Sequence, residues 1–104
     1  MKKNKNQIKN GNGLASQRIQ LQFTHPRAKS VCIAGTFNDW RPASLPMLCV
    51  ETGRWVKELA LPPGRYEYLF VADGEWLPDP RAQDKAPNPF GGVNSVLNIP
   101  NGHE

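Results

Sequence analysis

Clusters of Pro, Gly, Asn and Asp recur every ten residues or so, cutting this chain into pieces too short for ordinary helices. Between the clusters, apolar residues follow a period of two, the mark of half-buried strands. Arg18-Ile19-Gln20-Leu21-Gln22-Phe23-Thr24 alternates cleanly, and His25-Pro26-Arg27-Ala28-Lys29 then turns the chain. Ser30 to Ala34 is a second strand, with Val31 and Ile33 on one face. Leu48 to Glu51 is short. After Thr52-Gly53, Arg54 to Leu61 sets Trp55, Leu59 and Leu61 on one face. Pro62-Pro63-Gly64 turns the chain again. Arg65 to Ala72 faces Tyr66, Tyr68 and Phe70 one way and Leu69 and Val71 the other. Asp73-Gly74 is a hairpin turn signal, and Val93 to Ile99 forms a last strand. No segment carries an apolar stripe of 3.6-residue period at helical length. Six or seven strands of this kind predict an all-β fold, an immunoglobulin-like β-sandwich. The Pro-rich stretch from Leu77 to Gly92 is expected to be a loop without secondary structure of its own, and loops of that length are often functional.

A chain of 104 residues fits one domain. Residues 1–16 are mostly Lys, Asn, Gln and Gly and cannot bury enough apolar surface to offset ordering entropy, so they are expected to be a disordered basic tail. The sandwich then occupies 17–100, with a short tail at 101–104. The net charge of +4 belongs to that first segment, which holds Lys2, Lys3, Lys5 and Lys9; removing these from the 13 basic residues leaves nine, against nine acidic ones. A neutral body argues against nucleic acid as a partner. No apolar run approaches the roughly 18 residues that a membrane span requires. Without a signal-peptide pattern the chain is expected in the cytoplasm, with Cys32 and Cys49 reduced unless their strands are neighbours and form a disulfide, and with Cys32 packing as a small hydrophobe. Two thiols without a CxxC or a nearby His make no metal site.

Nothing in the sequence supports catalysis or a cofactor. His25 and His103 are the only histidines, and neither belongs to a triad or metal-ligand pattern. Asp73, Glu75 and Asp79 could pair as carboxylates for glycoside hydrolysis, but a small body cannot build a deep cleft around them. Turn-forming Asp and solvated Glu are the expected roles. The chain is expected not to be an enzyme.

Three tryptophans divide by position. Trp55 alternates with Leu59 and Leu61 and is expected in the core. Trp40 and Trp76 each close a polar segment, Gly35-Thr36-Phe37-Asn38-Asp39-Trp40 and Asp73-Gly74-Glu75-Trp76. Such rings either fold back over the sandwich edge or form a platform. The apolar C–H face of a hexose lies well on an indole π-face, by the quadrupole logic of cation–π contacts. Asn94 offers donors and an acceptor suited to vicinal hydroxyls, or serves as a strand-initiating turn residue. Phe90 could lean over a ligand or plug the sandwich base, and Gly91-Gly92 permits close backbone approach.

These segments occur together in one known pattern. Val31 to Trp40 (VCIAGTFNDW), Leu61 to Trp76 (LPPGRYEYLFVADGEW), Asp79-Pro80 and Phe90 to Leu97 (FGGVNSVL) closely resemble the family-48 carbohydrate-binding modules. That family includes the glycogen-binding domains of AMP-activated protein kinase β-subunits, and is related to the N-terminal domains of isoamylases and branching enzymes. The resemblance covers roughly residues 18–100. It implies an immunoglobulin-like sandwich that binds α-1,4-linked glucan: glycogen, starch or maltooligosaccharide. It also implies stacking on Trp40 and Trp76, a hydrogen-bonding role for Asn94, and Phe90 reaching into the curve of the sugar helix. Two positions depart from the kinase-type pattern: Leu69 stands where a lysine is usual, and Gly92 where a threonine is usual. Each loss removes a donor worth about 1 kcal/mol net, so weaker binding or a shifted register is implied. An amylase-type barrel needs about 250 residues and cannot fit here. The alternative role is a docking module, with a degenerate sugar site, for a separate glycogen-metabolism enzyme or kinase.

Overall fold

A computed structural model describes residues 16–101. The expected tails, 1–16 and 101–104, lie outside the described residues except for Ser16 and Asn101. Among the described residues, eight strands follow one another: β1 (Gln17–Thr24), β2 (Val31–Gly35), β3 (Leu48–Glu51), β4 (Arg54–Leu61), β5 (Gly64–Ala72), β6 (Glu75–Leu77), β7 (Asp84–Pro87) and β8 (Val93–Ile99). Two single 3₁₀ turns, Thr36–Asn38 and Pro42–Ser44, lie between β2 and β3.

The strands form two antiparallel sheets, one ordered β1-β4-β3 and the other β2-β5-β8-β7, with β6 paired to the far end of β5. Period-two alternation decides which side chains meet between them. Leu21 and Phe23 of β1, with Trp55, Leu59 and Leu61 of β4, are buried against Val31 and Ile33 of β2 and Tyr68, Phe70 and Ala72 of β5. Phe23 and Phe70 touch across the gap, their ring centroids 4.5 Å apart. Each fully buried side chain of this size stabilises the fold by about 1.5–3 kcal/mol. Trp55 lies in this core as expected, with its indole Nε1 lacking a hydrogen-bond partner among the described residues.

The stretch from Leu77 to Gly92 is not the structureless loop its composition predicts. It contains the end of β6 and all of β7, and β7 pairs with β8 in the register Asp84↔Val96 to Pro87↔Val93. β7 is an outer strand, where a terminal proline costs little because its missing N–H is not needed. Cys32 lies on the five-stranded sheet and Cys49 on the three-stranded one, and both thiols are free. At the other margin, β3 has all four residues exposed, and its ladder with β4 slips register between Cys49 and Glu51.

Candidate carbohydrate-binding site

β5 presents Glu67, Leu69 and Val71 on the face away from the core, since Tyr68 and Phe70 between them are buried. Over this outer face lies an open cavity of about 970 Å³. Trp40, Leu69, Trp76, Phe90, Gly92 and Asn94 all line it. The sequence-derived positions, scattered over more than fifty residues of chain, therefore converge on one surface.

Trp40 reaches the cavity through a tightly tied turn. Gly35 begins it, and only glycine fits there: a Cβ would lie 2.6 Å from the Glu67 carbonyl oxygen and 2.8 Å from the Tyr68 Cβ. The Asn38 side chain then gathers the segment. Its Oδ1 accepts from the Gly35 N–H at 2.9 Å, and its amide donates to the carbonyls of Ile33 (3.0 Å) and Arg41 (2.9 Å) and to Ser44 Oγ (3.1 Å). Phe37 fixes the turn to the sheet by packing against Tyr66 and Tyr68. Asp39 and Trp40 adopt left-handed backbones, with φ of 54° and 58°. For non-glycine residues this conformation costs roughly 1–2 kcal/mol each. The Trp40 N–H donates to the Gly35 carbonyl at 2.9 Å, closing the turn.

Trp76 was expected on a loop. It lies instead on β6, in register with Val71 of β5, and the residue is 45% exposed. The hairpin before it uses positive φ at Asp73 (50°) and Gly74 (86°), the pattern of a type I′ turn. The Asp73 carboxylate accepts from the backbone N–H groups of Lys29 and Ser30, tying the hairpin to the start of β2. Asp73 thus has a structural task, and Glu75 is exposed. Asp79 begins a turn, as its sequence context predicts, with its carbonyl accepting from the Ala82 N–H at 3.2 Å, but it is buried. It is 4% exposed, accepts from the Tyr68 hydroxyl and the Arg81 N–H, and its own N–H donates to Ser95 Oγ. Burial, reinforced by the bond to Asp79, holds the Tyr68 hydroxyl pKa far above the ordinary tyrosine range.

Phe90 is 92% exposed at the tip of a loop closed by Asn88. Asn88 Oδ1 accepts from the N–H groups of Phe90 and Gly92, both at 3.0 Å, and the Asn88 N–H donates to the Gly92 carbonyl at 2.9 Å. The Asn88 amide also donates to Asn94 Oδ1 at 3.2 Å, and Asn94 Nδ2 donates to Glu67 Oε1 at 3.0 Å. Glu67 Oε2 accepts from Arg65 at 2.7 Å. The Asn94 bond, then the Arg65 bond, hold the Glu67 carboxyl below its usual pKa.

Glu67, Asn88 and Thr36 are cavity residues that sequence reasoning missed. Glu67 had a readable signal, because the alternation that turns Leu69 and Val71 outward turns Glu67 outward too. Asn88 had none, since its role depends on the shape of the loop it closes.

A β-sandwich with aromatic rings and a hydrogen-bonded amide gathered over one sheet face has the form expected of a carbohydrate-binding module. Residues 17–103 match the family described as the glycogen recognition site of AMP-activated protein kinase, and the chain belongs to that family. Similar proteins include 5′-AMP-activated protein kinase subunit beta-1 of Sus scrofa, 34% identical over 71 residues, which are 68% of this chain and 55% of the relative. Subunit beta-1 of Bos taurus is 35% identical, and subunit beta-2 of Mus musculus 31%, each over 68% of this chain and 25% of the relative. The chain thus spans about half of one of these relatives and a quarter of the other two. Among solved structures, the crystal structure of maltogenic amylase from S. marinus superposes with a TM-score of 0.65 at 25% identity, over 79% of this chain and 13% of that one. Among the described residues, no helix is long and apolar enough to cross a membrane.

Proposed function

We propose that this chain is a non-catalytic module that binds α-1,4-glucan, such as glycogen, starch or maltooligosaccharide, by stacking glucose rings on Trp40 and Trp76. The reading rests on one observation: both indoles, Phe90 and Asn94 border a single open cavity. Flat apolar walls with a few polar groups between them suit a sugar, whose ring faces are apolar and whose rim is hydroxylated. Phe90 extends from its loop to fill the concave side of a curved glucan.

A titration with maltoheptaose, followed at the three indole N–H resonances, tests this directly. Trp40 and Trp76 are expected to shift, while buried Trp55 stays still. Unmoved indoles at millimolar sugar overturn the reading.

A second reading, docking to a glycogen-metabolism enzyme or kinase, draws support from Leu48 and Val50. These side chains are 65% and 42% exposed on the sheet that does not carry the cavity. Leu69 and Gly92, which lack the donors of the kinase-type pattern, point the same way. Pull-down with and without a competing glucan separates the two roles.

A further inference from the structure

We propose that Glu67 is itself a glucan-binding residue, accepting a sugar hydroxyl beside the donor that Asn94 offers. The inference rests on the glucan reading above and names a contact that the resemblance to known modules does not supply.

The chain of amides fixes the polarity of Asn94. Its Oδ1 is taken by the Asn88 donor, and one of its two N–H groups is taken by Glu67. What remains for a ligand is the second N–H and one lone pair of Oδ1, a neutral acceptor. Asn94 therefore acts toward the sugar mainly as a donor, and a charged acceptor must come from elsewhere.

Glu67 supplies it. Among the described lining residues it is the one ionisable side chain. A carboxylate has about four lone-pair sites, and Asn94 and Arg65 occupy one on each oxygen. The remaining sites have no partner among the described residues. Backbone position is also fixed, because the Glu67 N–H donates to Thr36 Oγ1 at 3.2 Å. The depressed carboxyl pKa keeps the group ionised at neutral pH. A donor and an ionised acceptor joined by a 3.0 Å hydrogen bond form a pair that can engage two neighbouring hydroxyls of one glucose. Such charge-assisted bonds are roughly twice as strong as neutral ones. They offset part of what Leu69 and Gly92 fail to provide.

The test measures maltoheptaose affinity by calorimetry for the unaltered chain, Glu67→Gln, Asn94→Ala and the double variant. Glu67→Gln retains an oxygen for the Asn94 amide and so keeps Asn94 in place. It is expected to weaken binding about tenfold. The decisive comparison is made in the Asn94→Ala background, where Glu67→Gln should still weaken binding several-fold. No further loss there means that Glu67 acts only by orienting Asn94, which overturns the inference. Unchanged affinity in Glu67→Gln alone overturns it too, and leaves the stacking reading intact. If the unaltered chain fails to bind maltoheptaose, the glucan reading falls and this inference falls with it. Glu67→Asp, which keeps the charge but withdraws it by one methylene, is expected to weaken binding likewise and replaces the amide variant if that variant does not fold.

Discussion

Replacing Asn38 with alanine should destabilise the whole sandwich, although residue 38 lies in a short surface turn. The side chain makes four hydrogen bonds within that turn. Two of them, from the Gly35 N–H and to the Ile33 carbonyl, are part-buried. Water cannot easily replace the lost partner of these groups, and each unmade bond costs about 1–2 kcal/mol. The bonds to the Arg41 carbonyl and Ser44 hydroxyl are exposed and resolvate, costing little. The expected loss is therefore about 2–4 kcal/mol, reduced by whatever strain the left-handed Asp39 and Trp40 release on loosening. For a domain of this size, each 1 kcal/mol lowers Tm by roughly 4–8 °C. Urea unfolding of Asn38→Ala beside the unaltered chain measures the difference. Glucan affinity should fall as well, because Trp40 is no longer held over the sheet. A stability loss under about 1 kcal/mol, with full affinity, would show that Asn38 does not organise the turn.

Three further outcomes follow from the same geometry. Trp40→Ala combined with Trp76→Ala should abolish the fluorescence change on adding glycogen or β-cyclodextrin while the far-ultraviolet dichroism stays that of the sandwich. Gly35→Ala should cost about 1–3 kcal/mol in urea unfolding, since its methyl meets the Phe37 ring and also the Glu67 carbonyl oxygen and Tyr68 Cβ, which cannot swing away. Tyr68→Phe leaves the buried Asp79 carboxylate short of a donor and should cost about 1–3 kcal/mol at neutral pH. Because the folded-state pKa of Tyr68 is raised, its contribution is present below the ordinary tyrosine pKa of about 10 and is lost as pH rises beyond it. The unaltered chain should therefore lose stability above that pH more steeply than Tyr68→Phe, as alkaline melting curves will show.

Much of the fold was legible in the sequence because most strands have one face in the core and one in water. Leu48–Glu51, Arg54–Leu61 and Val93–Ile99 have the bounds that alternation and turn residues predict. β7 escaped because Asp84-Lys85-Ala86-Pro87 carries no apolar alternation. It is a strand by virtue of the edge that β8 offers, which is a property of the assembled sheet. β6 escaped because three residues are too few to display a period. For the cavity, the aromatic positions were readable as large rings in polar surroundings. The hydrogen-bond commitments of Asn94 were not, since its partners Asn88 and Glu67 lie on different strands and loops and meet only in the folded chain.

The register slip between Cys49 and Glu51 bears on how the molecule tolerates crowding. If glucan binding as proposed gathers such modules along one polysaccharide, their local concentration rises above that in free solution. A long, flat outer strand bearing Leu48 and Val50 would then be a template on which copies zip together into fibrils. A four-residue strand whose ladder slips register offers a neighbour few consecutive backbone groups in line to begin that growth. An irregularity at the rim of the fold thus works against edge-to-edge pairing of copies.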